Sequence, residues 1–334
     1  MVDIPIPEIN DNEILLKVKA GAICGTDVRM WQNGNDGVDE EHPRTMGHEI
    51  TGIIHKVGKN VKCYSEGMKI GFNPNIGCGV CDMCVSGRHH LCKDYLNFGI
   101  RMQGGFAEYA VMPEPFIQQG NIVEIPEGVS FAEATLNEPL SCAYNGFLKC
   151  NVQPGEYAMV VGAGPIGLFH ALLLKMAGAG KVIMNDISDE RLETAKQIVD
   201  GIITYNGPDL PGFVDKETHG RGLDIAITAN PVPAVQAAML PLMNFGGRVN
   251  FFGGIPASKQ PVPIDTNIVH YRELILTGAT RSSAAQFRKT LEFVADGLVP
   301  VGKMVTGEYK IEDALQAFEN AKAAKGIKQV IVFD

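Results

Sequence analysis

The chain has 334 residues, which is longer than most single domains, so two domains are expected. It carries 29 Lys and Arg against 38 Asp and Glu, a net charge of −9, and it has no run of basic residues. This balance argues against binding to nucleic acid or to an anionic membrane and favours small molecules as partners. The N-terminus has neither a charged n-region nor an apolar h-region, so we expect no secretory signal and a cytoplasmic location.

Residues 1 to about 135 are predicted to be rich in β-strands. Short strands are predicted at residues 13–19, 50–57, 68–72 and 106–112, where apolar residues alternate or cluster between turns rich in Gly, Pro and Asn.

From about residue 155, predicted strands and helices alternate. The strands are at residues 157–161, 181–186, 223–228, 248–252 and 274–278, and the helices are at 165–177, from Ser188 to just before Gly201, and at 232–243. This alternation predicts an α/β fold with a parallel, doubly wound sheet. The tail has predicted helices at 284–295 and 312–324 and a strand at 329–333, and periodicity alone does not assign it to either domain.

A glycine motif, Gly162-Ala-Gly164-Pro165-Ile166-Gly167, follows the predicted strand at 157–161 and begins a helix. The first glycine permits a tight turn, the second lets the backbone approach a pyrophosphate, and the third lets helix and strand pack closely. Asp186 is at the end of the next strand, where its carboxylate would bind the ribose hydroxyls and repel a 2′-phosphate. The pattern predicts a site for NAD, while the nearby Arg191 leaves NADP open.

Four of the eight cysteines lie within fifteen residues, with the spacing Cys78-x2-Cys81-x2-Cys84-x7-Cys92. Four thiolates can close a tetrahedral shell around Zn²⁺ with no open position, which is typical of a structural site. An iron–sulfur cluster is the alternative, but the bacterial spacing ends in x3-Cys-Pro, whereas this one ends in x7-Cys-Lys. The spacing therefore favours zinc. Among the other cysteines, Cys63, Cys142 and Cys150 are expected to be small packed hydrophobic residues.

Two further fragments contain metal-ligand residue types, Cys24-Gly-Thr26-Asp27 and Gly47-His48-Glu49-x2-Gly52. Cys, His and carboxylate are the ligands of a catalytic zinc, which keeps one coordination position open. Either fragment alone is more often structural, because a lone Cys usually packs in a core and a His beside a strand is usually only hydrogen-bonded. Beside a predicted dinucleotide-binding domain, the two together indicate a catalytic metal site.

These motifs occur in the order seen in the zinc-dependent medium-chain dehydrogenases, which the chain resembles over nearly its whole length. The shared motifs also include Gly-Gly105-Phe-Ala-Glu-Tyr and Glu138-Pro-Leu-Ser. The chain is most similar to the sorbitol and galactitol dehydrogenase branch. The resemblance implies a catalytic, zinc-binding domain with a GroES-like β-barrel, formed by residues 1–140 and 280–334. It also implies a Rossmann NAD-binding domain at residues 141–279, with the active site in the cleft between the two.

The resemblance implies roles for individual residues. Two zinc ions per chain are expected, a structural one on the four clustered cysteines and a catalytic one on Cys24 and His48, with Glu49 or Glu138 as a further ligand or nearby carboxylate. Thr26 would accept the alcohol proton and complete the catalytic set. Phe98 would line the substrate pocket, and Arg281 would hydrogen-bond a substrate hydroxyl. The implied dinucleotide contacts are Gly162, Gly164, Pro165, Ile166, Gly167, Asp186, Arg191, Phe252, Gly253, Gly254, Ala279, Thr280 and Arg281.

Three features depart from the family pattern. The family usually has a further β-segment before the point where this chain begins, so either Met1 is not the natural start or the barrel is abbreviated. Position 29 is Arg where the family often has a His that carries the proton outward, so water is the expected exit. The polyol branch also often has Tyr at the positions of Met30 and Ser282.

The predicted function is hydride transfer between a secondary alcohol of a small polyol and NAD, with zinc as the metal. L-threonine 3-dehydrogenase activity is an alternative, because that enzyme shares much of the pattern. A non-catalytic zinc- and NAD-binding protein is a second alternative, which the two intact sets of zinc ligands disfavour. The family resemblance further suggests a homo-oligomer, either a tetramer or a dimer.

Overall fold

The computed structural model describes residues 2–35, 37–39 and 41–334. The chain forms two compact units, one of Met1–Ser141 with Arg281–Asp334, and one of Cys142–Thr280. Among the described residues, none of the helices combines the length and the hydrophobicity needed to cross a bilayer.

The elements have the following bounds. The strands are β1 (Ile14–Ala22), β2 (Glu49–Val57), β3 (Lys69–Phe72), β4 (Asn75–Ile76), β5 (Leu96–Asn97), β6 (Tyr109–Met112), β7 (Ile122–Glu124), β8 (Tyr157–Val161), β9 (Lys181–Asn185), β10 (Ile203–Tyr205), β11 (Leu223–Thr228), β12 (Met243–Phe251), β13 (Ile275–Gly278), β14 (Val305–Lys310) and β15 (Lys328–Val332). The α-helices are α1 (Gly25–Asn33), α2 (Asp82–Val85), α3 (Glu114–Gln118), α4 (Phe131–Thr135), α5 (Asn137–Cys150), α6 (Pro165–Met176), α7 (Asp189–Ile198), α8 (Leu210–Thr218), α9 (Pro233–Met239), α10 (Thr266–Tyr271), α11 (Ala284–Ala295) and α12 (Ala314–Lys322).

Strand β1 organises the sheet of the first unit. Its alternate residues Ile14, Leu16, Val18 and Ala20 are buried, as period-2 alternation of apolar residues requires. The strand pairs antiparallel with β2 along one edge, and with β6 and then β15 along the other. Strands β3 and β7 extend the sheet beyond β2, and β14 joins β15 in parallel. The tail therefore belongs to the first unit, because its last strand pairs with β1.

The second unit contains a parallel sheet in the order β10-β9-β8-β11-β12-β13. This is the strand order of a Rossmann fold, in which the direction of winding reverses between β8 and β11. Ligands of such sheets bind beyond the carboxyl end of the strands at that reversal, where the glycine motif follows β8. The predicted parallel, doubly wound sheet is confirmed.

Some elements differ from the sequence predictions. Helices α1 to α5, α8 and α10 were not predicted, and the strand expected at 106–112 begins only at Tyr109. The helix expected at 232–243 ends at Met239 and continues as a 3-10 turn over Leu240–Leu242. The α-helix stops there because Pro241 has no backbone N–H to donate to the preceding turn.

Candidate functional site

A group of potential metal ligands lies where β1 ends and β2 begins. Ala22 of β1 pairs with Glu49 of β2, so Cys24, the N-cap residue of α1, comes beside His48 and Glu49. The ligand atoms of Cys24, His48 and Glu49 all lie within 4.8 Å of one another. His48 and Glu49 are buried, and Cys24 is partly buried. The structure therefore brings together three of the four predicted ligands of the catalytic zinc.

Asp27 supports this group, and the sequence motifs do not single it out as a site residue. It is fully buried, its Oδ2 accepts a hydrogen bond from the Cys24 backbone N–H at 2.9 Å, and its Oδ1 lies 3.4 Å from His48 Nδ1. Burial lowers the pKa of His48, but the charges of Asp27 and Cys24 outweigh it, so the pKa is raised well above its usual value. His48 Nδ1 thus faces the Asp27 carboxylate, and Nε2, on the other side of the ring, is available as a ligand atom.

Lys328, the first residue of β15, is also at the group and was also missed. Its side chain is buried, and its Nζ donates to the Ile23 carbonyl oxygen at 2.9 Å and closely to Glu49 Oε2. Burial lowers the pKa of Lys328, but the nearby negative charges, led by Glu49, raise it above its usual value overall. The fourth predicted ligand, Glu138, is buried in the first turn of α5.

A buried chain of hydrogen bonds joins the start of α5 to the residue after Arg281. Ser141 donates to the Glu138 carbonyl oxygen at 2.6 Å, and its hydroxyl lies 2.7 Å from that of Ser282. Asn73 donates to the Ser282 hydroxyl at 2.8 Å. The side chain of Ser282 is thus a buried structural link.

Arg281 has a left-handed backbone conformation with φ +55° and stacks its guanidinium 3.7 Å from the ring centroid of Tyr95. Arg101 stacks on the same ring at 4.4 Å. Phe98 is 1% exposed and packs edge-on against Phe72 and Phe116, with ring centroids 4.9 and 5.9 Å away. In the first unit Phe98 is therefore a core residue, and its contact with a substrate stays a prediction.

Thr26 lies in the first turn of α1, and its Oγ1 accepts a hydrogen bond from Arg29 Nη2 at 2.8 Å. One lone pair of the hydroxyl is thereby occupied by a permanent cation, because guanidinium stays protonated. The sequence predicts a role for Thr26 but not its contact with Arg29.

The four clustered cysteines form a second group of potential ligands. They lie between β4 and β5, their Sγ atoms are all within 4.8 Å of one another, and every cysteine of the chain is a free thiol. Hydrogen bonds from the backbone of Val80 and Cys81 lower the pKa of Cys78 to about 7, while burial raises the pKa of Cys84 to about 12.

Zinc fits the geometry of both groups. A tetrahedral Zn²⁺ with bonds of ~2.3 Å to sulfur separates its ligand sulfurs by ~3.8 Å. The Sγ of Cys84 lies 4.0 Å from that of Cys78 and 3.5 Å from that of Cys81. In the other group, Glu49 Oε1 is buried and has no hydrogen-bond partner among the described residues, which is costly unless a cation satisfies it.

The glycine motif has the shape of a dinucleotide cradle. Gly162 has φ +109°, and a Cβ on Gly167 would come within 1.8 Å of the Gly162 carbonyl oxygen, so side chains are excluded at both positions. A Cβ on Gly164 would meet nothing within 4 Å, which leaves space for a ligand. The carboxylate of Asp186 accepts hydrogen bonds from Ala163 N at 2.7 Å and from Ser188 N at 2.9 Å. The predicted ribose-binding carboxylate therefore lies against the glycine loop.

The other predicted dinucleotide contacts lie in the same unit, with the exception of Arg281. They follow or begin elements at the carboxyl edge of the sheet: Pro165 and Ile166 begin α6, Arg191 is in the first turn of α7, Phe252, Gly253 and Gly254 follow β12, and Ala279 and Thr280 follow β13.

Two family models match the chain. One, described as an alcohol dehydrogenase GroES-like domain, matches residues 10–127, and the other, described as a zinc-binding dehydrogenase, matches residues 165–296.

Several known proteins are similar along nearly the whole chain. L-threonine 3-dehydrogenase of Rhizobium etli is 32% identical over 335 residues, covering 99% of this chain and 94% of the relative. Sorbitol dehydrogenase of Bacillus subtilis is 32% identical over 321 residues, covering 95% of this chain and 89% of the relative. D-xylulose reductase A of Aspergillus oryzae is 34% identical over 339 residues, covering 98% of this chain and 92% of the relative.

Solved structures agree with this fold. A zinc-binding dehydrogenase of Sinorhizobium meliloti bound to NADP superimposes with a TM-score of 0.89 at 28% identity, covering 99% of this chain and 94% of the other. A protein described as a short chain alcohol dehydrogenase of Escherichia coli, complexed with NADH, superimposes with a TM-score of 0.87 at 28% identity, covering 98% of this chain and 94% of the other. The sequence relatives and the two family models together show that the chain belongs to the zinc-dependent medium-chain dehydrogenases.

Proposed function

We propose that this protein is a zinc-dependent dehydrogenase that transfers a hydride between a secondary alcohol of a small polyol and NAD. The observation that carries the proposal is the buried group of Cys24, His48 and Glu49, in which a carboxylate oxygen lacks a hydrogen-bond partner among the described residues. A protein that needed only a structural zinc would not require this group, because the four clustered cysteines already provide a structural zinc site.

Cys24 and His48 would hold the catalytic zinc, with Glu49 and Glu138 as the carboxylates able to complete its ligand set. Zinc bound there would polarise the oxygen of an alcohol and lower the pKa of its hydroxyl. Asp27 keeps His48 Nε2 available as a ligand. The structural zinc would be held by Cys78, Cys81, Cys84 and Cys92.

Thr26 is proposed to accept the alcohol proton. Because Arg29 already donates to Thr26 Oγ1, the hydroxyl can release its own hydrogen to an acceptor as it receives one from the substrate. The guanidinium favours negative charge on that oxygen but does not itself carry the proton, so water is the proposed exit. Arg281, stacked on Tyr95, would donate a hydrogen bond to another substrate hydroxyl, and Phe98 stays a predicted pocket residue.

Zinc content tests the metal assignment. We expect about two zinc ions per chain in the purified protein. Cys24→Ser should reduce this to about one and abolish turnover while NADH binding survives. Near-normal activity of Cys24→Ser would contradict the assignment, and one zinc in the unaltered protein, confined to the four cysteines, would support the non-catalytic alternative.

Asp186 is proposed to select NAD. Its carboxylate accepts the Ala163 N–H at the glycine loop, where a 2′-phosphate on the adjacent ribose would be repelled. Asp186→Gly removes this charge, and we expect the ratio of kcat/KM for NAD to that for NADP to fall. Unchanged selectivity would mean that Asp186 does not contact the ribose.

The substrate is proposed to be a polyol, and the similarity to sorbitol dehydrogenase and D-xylulose reductase supports this choice. Similarity of the same degree to L-threonine 3-dehydrogenase makes threonine the second candidate. A panel of sorbitol, galactitol, xylitol and threonine with NAD⁺, followed as NADH absorbance, separates the two. Turnover of threonine without turnover of polyols would overturn the proposal.

The domain roles, the assembly and the location are further proposals. Residues 1–140 and 280–334 would form the catalytic domain and residues 141–279 the NAD-binding domain, which the division into compact units supports. A homo-oligomer, tetramer or dimer, is supported by the edge strand β13, where Ile275 is exposed near the exposed Tyr271 and Phe245. Metal-binding thiolates are typical of a reducing compartment, which supports the cytoplasm. Light scattering of the zinc-loaded protein would test the assembly.

A further inference from the structure

Asn73 is a buried amide that contacts the residue after Arg281. It lies in the loop between β3 and β4 with 0% exposure. Its Nδ2 donates to the carbonyl oxygen of Ser282 at 3.2 Å and to the hydroxyl of Ser282 at 2.8 Å, and its Oδ1 accepts the Asn75 backbone N–H at 3.0 Å. The reversed amide would turn oxygen toward the Ser282 carbonyl and NH₂ toward the Asn75 N–H, so only one orientation satisfies both contacts.

The hydroxyl of Ser282 is committed on both sides. Ser141 donates its only hydroxyl hydrogen to the Glu138 carbonyl oxygen at 2.6 Å, so Ser282 must be the donor in the 2.7 Å contact between the two serine hydroxyls. The hydrogen bonds therefore run in one direction, from Asn73 through Ser282 and Ser141 to Glu138. All three side chains that donate are fully buried, so loss of one would leave a buried polar group without its partner.

The backbone of Arg281 has a conformation that needs support. Its φ is +55°, in the left-handed region that residues other than glycine rarely adopt unless neighbouring contacts hold them there. The next two residues are both fixed. Ser282 is held by Asn73, and Ser283 begins the capping box of α11, in which its N–H donates to Gln286 Oε1 at 2.8 Å. The chain is therefore held in place immediately after Arg281.

The guanidinium of Arg281 contacts the same part of the fold. It stacks 3.7 Å from the ring centroid of Tyr95, the residue directly before β5. Strand β5 pairs antiparallel with β4, so that Asn97 lies opposite Asn75 and its Nδ2 donates to Asn75 Oδ1. The β4–β5 pair therefore holds Arg281 at two points, beside its backbone through Asn75 and Asn73 and at its guanidinium through Tyr95.

We propose that Asn73 is a positioning residue that holds Arg281 in its left-handed conformation, with the guanidinium placed on Tyr95 to donate to a substrate hydroxyl. The proposal rests on the role of Arg281 in the proposed function. Without the Asn73 amide, the carbonyl and hydroxyl of Ser282 lose their donor, and rotation of the backbone would relieve the positive φ. The side chain of Arg281 would then leave Tyr95, because side-chain direction follows the backbone.

A double-mutant cycle tests whether Asn73 acts through Arg281. The kcat/KM with NAD⁺ and the best polyol of the substrate panel is measured for the unaltered protein, Asn73→Ala, Arg281→Ala and the variant with both changes. Thr290→Val is the control for lost stability. Thr290 is equally buried in the same unit, but its hydroxyl donates to carbonyl oxygens of α11. Thermal unfolding shows which variants are folded.

We expect kcat/KM to fall ~10-fold in Asn73→Ala, as for loss of a hydrogen bond from a charged donor. In the Arg281→Ala background the same change should have little further effect, because the guanidinium that it positions is gone. Thr290→Val should leave kcat/KM unchanged. A merely structural role would lower kcat/KM by the same factor with and without Arg281. Equal factors, or an unchanged kcat/KM in folded Asn73→Ala, would overturn the proposal.

If Asn73→Ala does not fold, Ser282→Ala takes its place in the cycle. This change removes the hydroxyl that accepts Asn73 Nδ2 and keeps the carbonyl, so we expect a smaller loss of kcat/KM, again only while Arg281 is present. No loss, or the same loss in both backgrounds, would count against the proposal.

Hydrogen–deuterium exchange reports the same support without any substrate. Exchange of residues 279–283 should be faster in Asn73→Ala or Ser282→Ala than in the unaltered protein and in Thr290→Val, because the chain after Arg281 is released. Equal exchange would overturn the proposal. If the unaltered protein oxidises no polyol, the proposed function fails, and the exchange measurement still decides whether Asn73 holds this segment.

Discussion

The imidazole of His170 leads to a quantitative prediction for the stability of the second unit. The residue lies on α6 with 0% exposure, its ring packs edge-on 4.9 Å from Phe252, and neither ring nitrogen has a hydrogen-bond partner among the described residues. Burial without such partners lowers the pKa of His170 from its ordinary 6.5 to about 3. The folded protein therefore keeps the ring neutral at pH values where the unfolded chain binds a proton.

The sign and the size of the effect follow from this difference in pKa. The pKa of His170 is lower in the folded protein than in the unfolded chain, so protonation favours the unfolded state. Above pH 6.5 this residue does not disfavour folding, and stability is lost as the pH falls from 6.5 toward about 3. Integrating the proton linkage between these two pKa values gives a loss of about 2 kcal/mol in the free energy of unfolding from pH 8 to pH 5. Below about pH 3 the loss reaches its limit, because both states are then protonated.

The assay is urea denaturation followed by circular dichroism at several pH values. His170→Leu replaces the ring by an apolar side chain, and its free energy of unfolding should fall by about 2 kcal/mol less than that of the unaltered protein between pH 8 and pH 5. His219→Asn removes an exposed histidine of the same unit and is the control for loss of a histidine. Equal pH dependence in the unaltered protein and His170→Leu would refute a neutral, buried ring.

Two further predictions concern residues beside the metal group. Asp27→Ala removes the carboxylate that faces His48 Nδ1, so zinc affinity should fall ~10–100-fold in competition with a chelator, and an unchanged affinity would show that the 3.4 Å approach does not orient the ring. Arg29→His replaces a permanent cation at Thr26 by a titratable ring, so the pH profile of kcat should gain a step between about pH 6 and 8, whereas Arg29→Lys, which keeps the charge, should not.

The dinucleotide site and the four-cysteine site could be predicted from the sequence, because the residues that form each of them are close together in the chain. The glycine motif follows its own strand, and the four cysteines lie in one short segment, so spacing alone indicates the ligand in each case. Helix α1 was not predicted, since it begins with Gly25 and Thr26, which have low helix propensity, and its only buried residue is Asp27.

The supporting contacts could not be predicted, because they depend on tertiary pairing. Lys328 is 279 residues from Glu49 in the chain and reaches it only because β15 pairs with β1. A lysine at the start of a strand is ordinarily a solvated residue, so its type gives no signal of burial. Ser282 is a similar case, since only packing shows that its hydroxyl links Asn73 to Ser141.

The discontinuity of the first unit sets an order of assembly during synthesis. A ribosome completes Cys142–Thr280 before it makes Arg281–Asp334, so the dinucleotide-binding unit can fold while β1 still lacks β15. Cys24, His48 and Glu49 are made before Cys142–Thr280, and Lys328 is made after it. The nascent chain therefore presents Glu49 without its ammonium partner until β15 has been made, and the metal group reaches its final charge only when β15 pairs with β1.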